Sequence, residues 1–488
     1  MSRAVPDGLV PDGLVAVVKR DCPTCVLVEP VLQQLAAATT LTVLSQDDPA
    51  FPLGIEVVDD TALERSWRLG IETVPTLLRV EGGVEVERLQ GWWREAWERV
   101  SGVSGLGPAL PDHRPGCGSK SVEWGVEEEL ERRYGDRVLT SRVVELADLE
   151  DDVEAAYARG WTDGLPVVPP TEERVLRMLR GTSRPPGDVV AVVPPDLVAC
   201  TVEKVAVNAV LAGCLPEHLP LVLAAVEGAC TDAFNMHGLL ATTYFSSPVL
   251  VVGGPVARAV GMNSGGNALG QGNRANAVIG RALQLVVRNV GGGRPGEVDR
   301  ATLGNPGKYT FCFAEEPAGS PFEPLHVSRG LPPGGSGMTL FAGAGVSPVV
   351  DQISRTPESL ARTFALALRA VGHPKLALAF DALLVVSPEH GRVFREAGWD
   401  RARLLAELEP LLVLQPGELR RGAGGIDEGM PPGVDTAPLP KFRPGGLLVT
   451  HAGGTAGMFS AVIGGWVSGI SGSEPVTVPI EPAPTEES

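Results

Sequence analysis

Two cysteines three positions apart are the residues of this sequence best suited to chemistry. Cys22 and Cys25 enclose a proline and a threonine, and an apolar run at 14–19 comes just before them. Apolar side chains recur at helical spacing over 26–38, which predicts that the pair starts a helix after a buried strand. Free N–H groups and the helix dipole at that position stabilise a thiolate. The pattern therefore predicts that Cys22 attacks disulfides and that Cys25 resolves the mixed disulfide.

A cysteine pair at this spacing is also half of a zinc site, which is the alternative interpretation. No second pair of matching spacing occurs, and the separations between Cys200, Cys214, Cys230 and Cys312 fit no zinc motif. The strand–helix context favours redox chemistry over metal binding. We therefore expect no metal site and no cofactor.

Two glycine-rich segments in the second half of the chain are candidates for ligand binding. One covers 264–273 and leads into a predicted helix at 274–289, where backbone N–H groups and the first arginine can hold an anion. The other covers 452–457 and follows a predicted strand, where α/β proteins place their ligands. We predict that both loops line one pocket for a small molecule, with ordinary surface turns as the alternative. The ligand-binding candidates are Gly265, Gly266, Gly270, Gly272, Arg274, Gly453, Gly454 and Thr455.

Four further residues are candidates for catalysis in the same region. His237 and His451 are placed at the rim of the predicted pocket, where an imidazole can act as a general base. Cys230 is the first candidate thiol, because His237 is close in sequence, and Cys312 is the second. The alternative is that these cysteines are buried core residues, which is the usual role of a free cysteine, and that the histidines are bonded within loops.

The elements that position the first cysteine pair fill residues 14–100. Two short apolar runs predict strands, and an alternating run after a Gly-Gly pair predicts the second arm of a hairpin. After the first strand and helix, the predicted order is strand 41–44, helix 60–68, strand 74–78, strand 84–89 and helix 93–100.

This order and three local signals resemble the thioredoxin family over residues 13–100. Pro30 follows the pair as in thioredoxins, where it kinks the active-site helix, and Gly91 is similar to the glycine after the last strand. The segment Val74-Pro75-Thr76-Leu77-Leu78 resembles the family's cis-proline strand. The resemblance implies a thioredoxin-like fold, with a cis peptide before Pro75 that packs against an active site formed by Cys22 and Cys25, and with Cys22 more exposed than Cys25.

The sequence departs from the thioredoxin pattern at three positions around the pair. Asp21 stands where the family has tryptophan, Ala16 replaces a buried acid and Val26 replaces a lysine. We expect the carboxylate of Asp21 to raise the pKa of Cys22. These differences favour a dedicated oxidoreductase over a general one.

The rest of the chain predicts a linker and a large α/β domain. Residues 101–121 are rich in Gly, Ser and Pro and are interpreted as a linker that carries Cys117, either an incidental thiol or one that exchanges with Cys22. Residues 122–488 alternate apolar strands with helices, with a subdivision expected near 331–337. Segments such as Gly160–Thr171 and Thr302–Glu316 resemble large uncharacterised bacterial proteins, some linked with a selenocysteine-containing family.

Charge and composition limit the classes of partner. The net charge of −18 disfavours nucleic acid and anionic membrane surfaces as partners. Neither a signal peptide nor an apolar run of about 18 residues is present. We therefore expect no nucleic acid partner, no membrane contact and a cytoplasmic location, where cysteines are more often catalytic or buried than paired in structural disulfides.

The leading hypothesis is an α/β enzyme with two parts. A thioredoxin-like domain, residues 1–100, exchanges thiols and disulfides and serves a thiol-dependent or redox catalytic domain in the same chain; its other partners are a reductase and a small, possibly anionic, ligand. One alternative is a ligand-binding protein with a non-redox docking module. The other is a lyase that cleaves carbon–heteroatom bonds through cysteine thiolates.

Overall fold

The chain folds into two compact α/β units, residues 1–138 and residues 139–488. The computed structural model describes residues 3–6, 8–123, 125–135, 139–147, 150–420, 437–469 and 472–484. Helices and strands alternate in both units, so the predicted α/β class is confirmed.

The first unit contains ten described strands and five described helices. Its strands are β1 (Arg3–Ala4), β2 (Gly13–Val18), β3 (Leu41–Ser45), β4 (Val58–Asp59), β5 (Thr73–Val74), β6 (Thr76–Glu81), β7 (Val84–Gln90), β8 (Trp92–Trp93), β9 (His113–Arg114) and β10 (Cys117–Gly118). Its helices are α1 (Pro23–Leu27), α2 (Glu29–Ala38), α3 (Glu64–Arg68), α4 (Arg94–Ser101) and α5 (Val126–Tyr134).

Six of these strands form one sheet in the order β1-β7-β6-β2-β3-β4. The central strand β2 runs parallel to β3 and antiparallel to β6, and it is almost entirely buried. The predicted helix 26–38 is divided, because Pro30 lacks the N–H that would bond to the carbonyl of Val26. Helix α2 then buries Val31, Leu32 and Leu35 in the core of the unit.

Residues 101–121 are an integral part of the first unit, so their interpretation as a linker was wrong. Leu106 is 1% exposed within the core, and the indole of Trp92 donates a hydrogen bond to the carbonyl of Pro111. Strand β9 pairs with β8, and β10 pairs with β5. Composition alone failed here, because these contacts are made with residues that lie far away in sequence.

The second unit contains eleven described strands and twelve described helices. Its strands are β11 (Val189–Val193), β12 (Val198–Thr201), β13 (Ser247–Gly253), β14 (Cys312–Ala314), β15 (Gly337–Val350), β16 (Phe380–Val386), β17 (Val413–Leu414), β18 (Leu439–Pro440), β19 (Leu447–His451), β20 (Phe459–Val467) and β21 (Val476–Pro479). Its helices are α6 (Asp152–Ala158), α7 (Glu172–Leu179), α8 (Val202–Ala212), α9 (Leu219–Ala229), α10 (Met236–Ala241), α11 (Pro255–Ala259), α12 (Arg274–Asn289), α13 (Leu325–Ser328), α14 (Pro357–Arg369), α15 (Pro388–Glu396), α16 (Arg401–Leu411) and α17 (Pro416–Arg420).

A seven-stranded mixed sheet organises the second unit in the order β14-β13-β15-β20-β16-β19, with β21 also paired to β15. Alternate residues of each strand enter different hydrophobic clusters, as the period of two in a strand requires. On β13, Leu250 packs with the cluster that includes α8, α9 and α12, whereas Val251 packs in a separate cluster with Phe341 and Leu383.

The expected subdivision near 331–337 is absent, because β15 begins at Gly337 and holds the sheet together. This strand bonds to β13 on one side and to β20 on the other, so a domain boundary there would cut through the sheet. The sequence patterns did not indicate β15 and β20 as strands. Within the described ranges, no helix combines the length and the apolar character needed to cross a bilayer.

We expect Leu106→Ala to lower the free energy of unfolding of the first unit by about 2–5 kcal/mol, the usual cost of truncating a buried leucine. Chemical denaturation of the full chain, followed by tryptophan fluorescence, measures the change. The control is Ser104→Ala, which alters an exposed residue of the same segment. Equal stability of both variants would restore the interpretation of 101–121 as a linker.

Candidate functional site

The start of α1 places Cys22 at a helix N-terminus. Cys22 is the N-cap residue, and its sulfur accepts a hydrogen bond from the backbone N–H of Cys25 at 3.3 Å. Pro23 occupies the first helical position, where its missing N–H costs nothing. Both cysteines are free thiols. The predicted placement of the pair at a helix start is therefore confirmed.

The loop between β5 and β6 faces the Cys22 sulfur. The peptide bond between Val74 and Pro75 is cis, and the carbonyl oxygen of Val74 lies 3.5 Å from the sulfur of Cys22. The predicted cis-proline beside Cys22 is therefore confirmed. This loop and the start of α1 form the two walls of the site.

The two thiols of the pair have opposite acid–base properties. The Cys25 thiol donates a hydrogen bond to the Cys22 sulfur, and with further donors it lowers the pKa of Cys22 to about 5. Burial raises the pKa of Cys25 far above the ordinary value, and the hydrogen bond to Cys22 raises it further. Asp21 was expected to raise the pKa of Cys22, but the pKa is lowered by the hydrogen bonds donated to the sulfur.

A third cysteine completes this site. In the register of β10 and β5, Cys117 lies directly opposite Val74, the residue before the cis-proline. The Cys117 thiol donates a hydrogen bond to the Cys22 sulfur, and burial followed by this bond raises the pKa of Cys117. The site is thus a cluster of three thiols in which Cys25 and Cys117 donate to the Cys22 sulfur, and the protonated Cys22 thiol donates to the carbonyl of Val74.

Residues 114–118, the covering segment, lie close against the Cys22 loop. The hydroxyl of Thr24 donates a hydrogen bond to the carbonyl of Pro115 at 2.7 Å. A Cβ atom at Gly116 would lie 2.6 Å from the carbonyl oxygen of Val74, so only glycine permits this approach. Cys22 is consequently 1% exposed and Cys25 is 0% exposed. Cys22 was expected to be more exposed than Cys25; both thiols are buried, because the covering segment seals the site.

The two glycine-rich loops of the second unit meet. The N–H of Gly453 donates a hydrogen bond to the carbonyl of Ser264 at 2.8 Å, and a Cβ atom at Gly454 would lie 3.2 Å from the Cα atom of Gly266. Together they border a groove of about 440 Å³. The predicted convergence of the loops is confirmed, whereas ligand binding there stays a prediction.

Several residues assigned to that pocket lie elsewhere. Among the ligand-binding candidates, Gly270, Gly453 and Gly454 line the groove, whereas Gly265, Gly266, Gly272, Arg274 and Thr455 do not. The side chain of Arg274 donates a hydrogen bond to the carbonyl of Gly213. The sequence could not show this, because the direction of each side chain depends on tertiary packing.

Neither histidine reaches the rim of the groove. His237 is exposed on α10, outside the groove lining. His451 is 2% exposed, and its Nδ1 lies 2.7 Å from the carbonyl oxygen of Glu316. Burial lowers the pKa of His451, which keeps the imidazole neutral near pH 7.

His390 and Ser460 form a hydrogen-bonded pair at this groove, although they are 70 positions apart in the sequence. The Nε2 of His390 lies 3.0 Å from the carbonyl oxygen of Asp351, which can only accept, so Nε2 carries the proton. Burial lowers the pKa of His390, and its free Nδ1 therefore accepts the hydrogen bond of the Ser460 hydroxyl at 2.8 Å. Ser460 lines the groove and is 7% exposed.

The candidate thiols of the second unit are poor nucleophiles. Cys230 is half-buried at the end of α9, and burial raises its pKa to about 12. Cys312 is buried in β14, and its pKa is also raised by burial. Neither lines the groove, so the structure does not bring the predicted thiols and histidines into one site.

A second cavity of about 520 Å³ was not anticipated from the sequence. Its charged lining residues are Asp163, Arg288, Asp299 and Lys308. Asp163 is paired with Arg281 at 2.8 Å, and Lys308 with Asp299 at 2.7 Å. Asn305 and Lys308 of this cavity lie in the segment Thr302–Glu316, which resembles the uncharacterised bacterial proteins.

Two polar groups of this second cavity have no partner within the described part of the chain. The Nε of Arg288 is buried without a hydrogen-bond acceptor, and so is the hydroxyl of Ser246, which is 1% exposed. Asp163, Asp299 and Lys308 are in ion pairs, whereas Arg288 forms no ion pair within the described ranges. Such a lining can accept a small anion.

Comparison of the chain with protein-family models, with curated proteins and with solved structures gives no match. The resemblances to thioredoxins and to the selenocysteine-linked bacterial proteins therefore stay predictions that rest on the motifs. No group of three or more His, Cys, Asp or Glu residues in the described ranges is arranged to hold a metal ion.

We expect Gly116→Ala to increase the rate at which iodoacetamide alkylates Cys22, because the added methyl group displaces the covering segment. The matched control is Gly118→Ala, where the methyl group meets no atom within 4 Å. Mass spectrometry of timed digests gives both rates. Equal rates for the two variants would show that the segment does not limit access to Cys22.

Proposed function

We propose that the first unit is a thiol–disulfide oxidoreductase in which Cys22 is the nucleophile and Cys25 the resolving thiol. The observation that carries this proposal is the geometry of one helix start, where Cys22 is the N-cap residue of α1 and its sulfur accepts the backbone N–H of Cys25. A thiolate is the attacking species in exchange, and a pKa of about 5 for Cys22 makes it the dominant form at neutral pH. The cis-proline loop beside Cys22 supports the same assignment.

In the proposed reaction, the Cys22 thiolate attacks one sulfur of a disulfide and expels the other as a thiolate. Cys25 then gives up its proton and attacks the Cys22 sulfur, which releases the second substrate thiol and leaves a Cys22–Cys25 disulfide. The low pKa of Cys22 also makes it a good leaving group in the reverse direction. Two electrons pass from the pair to the substrate, and a reductase must return them.

The external partner of this chemistry is a thiol or disulfide. The described thiols of the second unit do not support that unit as the partner, because burial raises the pKa of each of them. The same burial argues against the lyase hypothesis, which needs a thiolate in the second unit. A cytoplasmic location fits seven cysteines that are all free.

We expect the alkylation of the reduced chain to depend on pH through the thiol of Cys22. The thiolate fraction rises with pH through a midpoint near 5, so the alkylation rate of Cys22 in the reduced chain reaches its plateau below pH 7. Cys25→Ala removes the principal hydrogen-bond donor and moves the midpoint up toward the ordinary thiol pKa of about 8.5.

Cys22→Ser should abolish glutathione exchange, whereas Cys230→Ser, at a half-buried thiol of the second unit, should leave it unchanged. Stopped-flow alkylation across pH 4–9 and a glutathione redox titration provide the measurements. A midpoint near 8.5 in the unmodified chain, or exchange that survives Cys22→Ser, would contradict the proposed function.

We infer a second function, the binding of a small anion by the second unit, from the 520 Å³ cavity. Arg288 and Ser246 present unpartnered polar atoms there, while the neighbouring carboxylates are held in ion pairs. An anion that bonds to the guanidinium would offset the cost of burying these groups without partners. This inference moves the expected ligand site away from the glycine loops.

We expect inorganic phosphate or acetate to raise the thermal midpoint of the second unit at matched ionic strength. At an anion concentration of about 100 times the dissociation constant, binding stabilises the folded state by about 2.7 kcal/mol. Arg288→Gln should lose this shift, and Arg258→Gln, an exposed cation outside the cavity, should retain it. The same shift in both variants would exclude Arg288 as the anion ligand.

A further inference from the structure

Cys117 lies at an unusual place for a residue outside the cysteine pair. Strand β5, which ends at the cis peptide, has its edge occupied by β10, and the register puts Cys117 across from Val74. An exchange protein that leaves this edge free can receive an extended peptide by adding a strand to it. Here the chain itself supplies that strand, and a cysteine stands at the position nearest to Cys22.

The contacts of the covering segment hold this cysteine against the site. The hydrogen bond from Thr24 to the Pro115 carbonyl ties the segment to α1, and Gly116 lets its backbone approach the Val74 carbonyl. Cys117 also packs against the core of the first unit. Its thiol donates directly to the Cys22 sulfur, so the two sulfur atoms are already neighbours in the reduced protein.

The three thiols differ in how far outside molecules can reach them. Cys22 and Cys25 are 1% and 0% exposed, whereas Cys117 is only half-buried. An external thiol or disulfide therefore meets Cys117 before it can meet Cys22. The most reactive sulfur of the site is covered, and the sulfur that covers it is the accessible one.

We propose that Cys117 is an internal exchange partner of Cys22, through which the cysteine pair communicates with thiols outside the chain. This inference rests on the proposed function of the first unit. It makes Cys117 a third redox residue of that unit, and the covering segment becomes an internal substrate of Cys22.

The proposed step is a disulfide exchange without net redox change. Cys117 attacks the Cys22 sulfur of the Cys22–Cys25 disulfide; the Cys22–Cys25 bond breaks, a Cys22–Cys117 bond forms, and the proton of Cys117 passes to Cys25. An external thiol then attacks the half-buried sulfur of Cys117, and Cys22 leaves as its thiolate. A second external thiol attacks the mixed disulfide on Cys117, which releases the external disulfide and restores the Cys117 thiol. In the first exchange Cys25 leaves as a neutral thiol, because it takes the proton of Cys117. In the second exchange Cys22 leaves as a thiolate, because leaving ability increases as thiol pKa falls.

The test uses the full chain with Cys25→Ser, oxidised by oxidised glutathione, acid-quenched and digested with trypsin. The two thiols lose two electrons and two protons to the glutathione disulfide, which leaves as two thiols. We expect a disulfide that joins the tryptic peptides 21–65 and 100–120, which contain Cys22 and Cys117. The cross-link should persist with the added control Cys230→Ser and vanish with Cys117→Ser.

The rate of exchange gives a second measurement on folded protein. Cys117→Ser keeps the covering segment in place, so it should slow the oxidation of external glutathione by the Cys22–Cys25 disulfide by tenfold or more. A rate equal to or above that of the unmodified chain would overturn the inference, since the segment would then act only as a cover.

The outcomes separate this inference from the proposed function. If Cys25→Ser yields only a glutathione adduct on Cys22 while the unmodified chain forms the disulfide within peptide 21–65, Cys117 is not an exchange partner and the oxidoreductase assignment stands. If the unmodified chain forms no Cys22–Cys25 disulfide, the proposed function fails and this inference fails with it.

Discussion

A negative charge on a buried sulfur requires hydrogen-bond donors, and the first unit is arranged to supply them to Cys22. The start of α1 offers backbone N–H groups, Cys25 offers its thiol from within the same helix, and Cys117 offers a third donor from another strand. Burial by itself would raise the pKa of Cys22, as it does for Cys25. The donors reverse that effect, so the same low-exposure environment yields one acidic and one inert thiol.

This requirement explains why the covering segment belongs to the folded unit. A segment that only connected two domains would leave Cys22 exposed and would remove one of its donors. Pairing of β10 with β5, the bond from Thr24 to the Pro115 carbonyl and the close approach at Gly116 together fix Cys117 over the sulfur. The contacts that bury Cys22 therefore also help to lower its pKa. For this reason the most reactive sulfur, that of Cys22, is buried, and the more accessible sulfur is that of Cys117.

The second unit follows a different constraint, the pairing of buried charge. Around one cavity, Asp163 forms an ion pair with Arg281, and Asp299 forms one with Lys308. The Nε of Arg288 has no hydrogen-bond partner within the described ranges. At the other cavity, Ser460 and His390 bond to each other and His390 bonds to Asp351, while the hydroxyl of Ser387 is buried without a partner in the described ranges. The described lining of this groove carries no charged side chain, so the first cavity, which contains Arg288, is the better candidate for an anion.

The cis-proline at Pro75 was implied by the resemblance to thioredoxins. Local patterns were sufficient to predict the α/β class, the main helices and strands of residues 14–100 and the placement of Cys22 before a helix. These features depend on neighbours in sequence, because hydrophobic periodicity and the backbone limits of proline act over a few residues. The meeting of the glycine loops was also predictable, since both adjoin the ends of elements in an α/β unit. The long strand β15 escaped detection, because its glycines and its register depend on pairing with three other strands.

Only the tertiary structure decided which residues share a site. Cys117 is 92 positions after Cys25 in sequence, and nothing near it indicates that it will lie opposite Val74. His390 and Ser460 likewise meet only through the packing of α15 on β20, and Arg288 becomes distinctive only once its neighbours are seen to be paired. Burial, partner choice and pKa are set by contacts between distant segments, and a sequence read locally contains the residue types for those contacts but not their geometry.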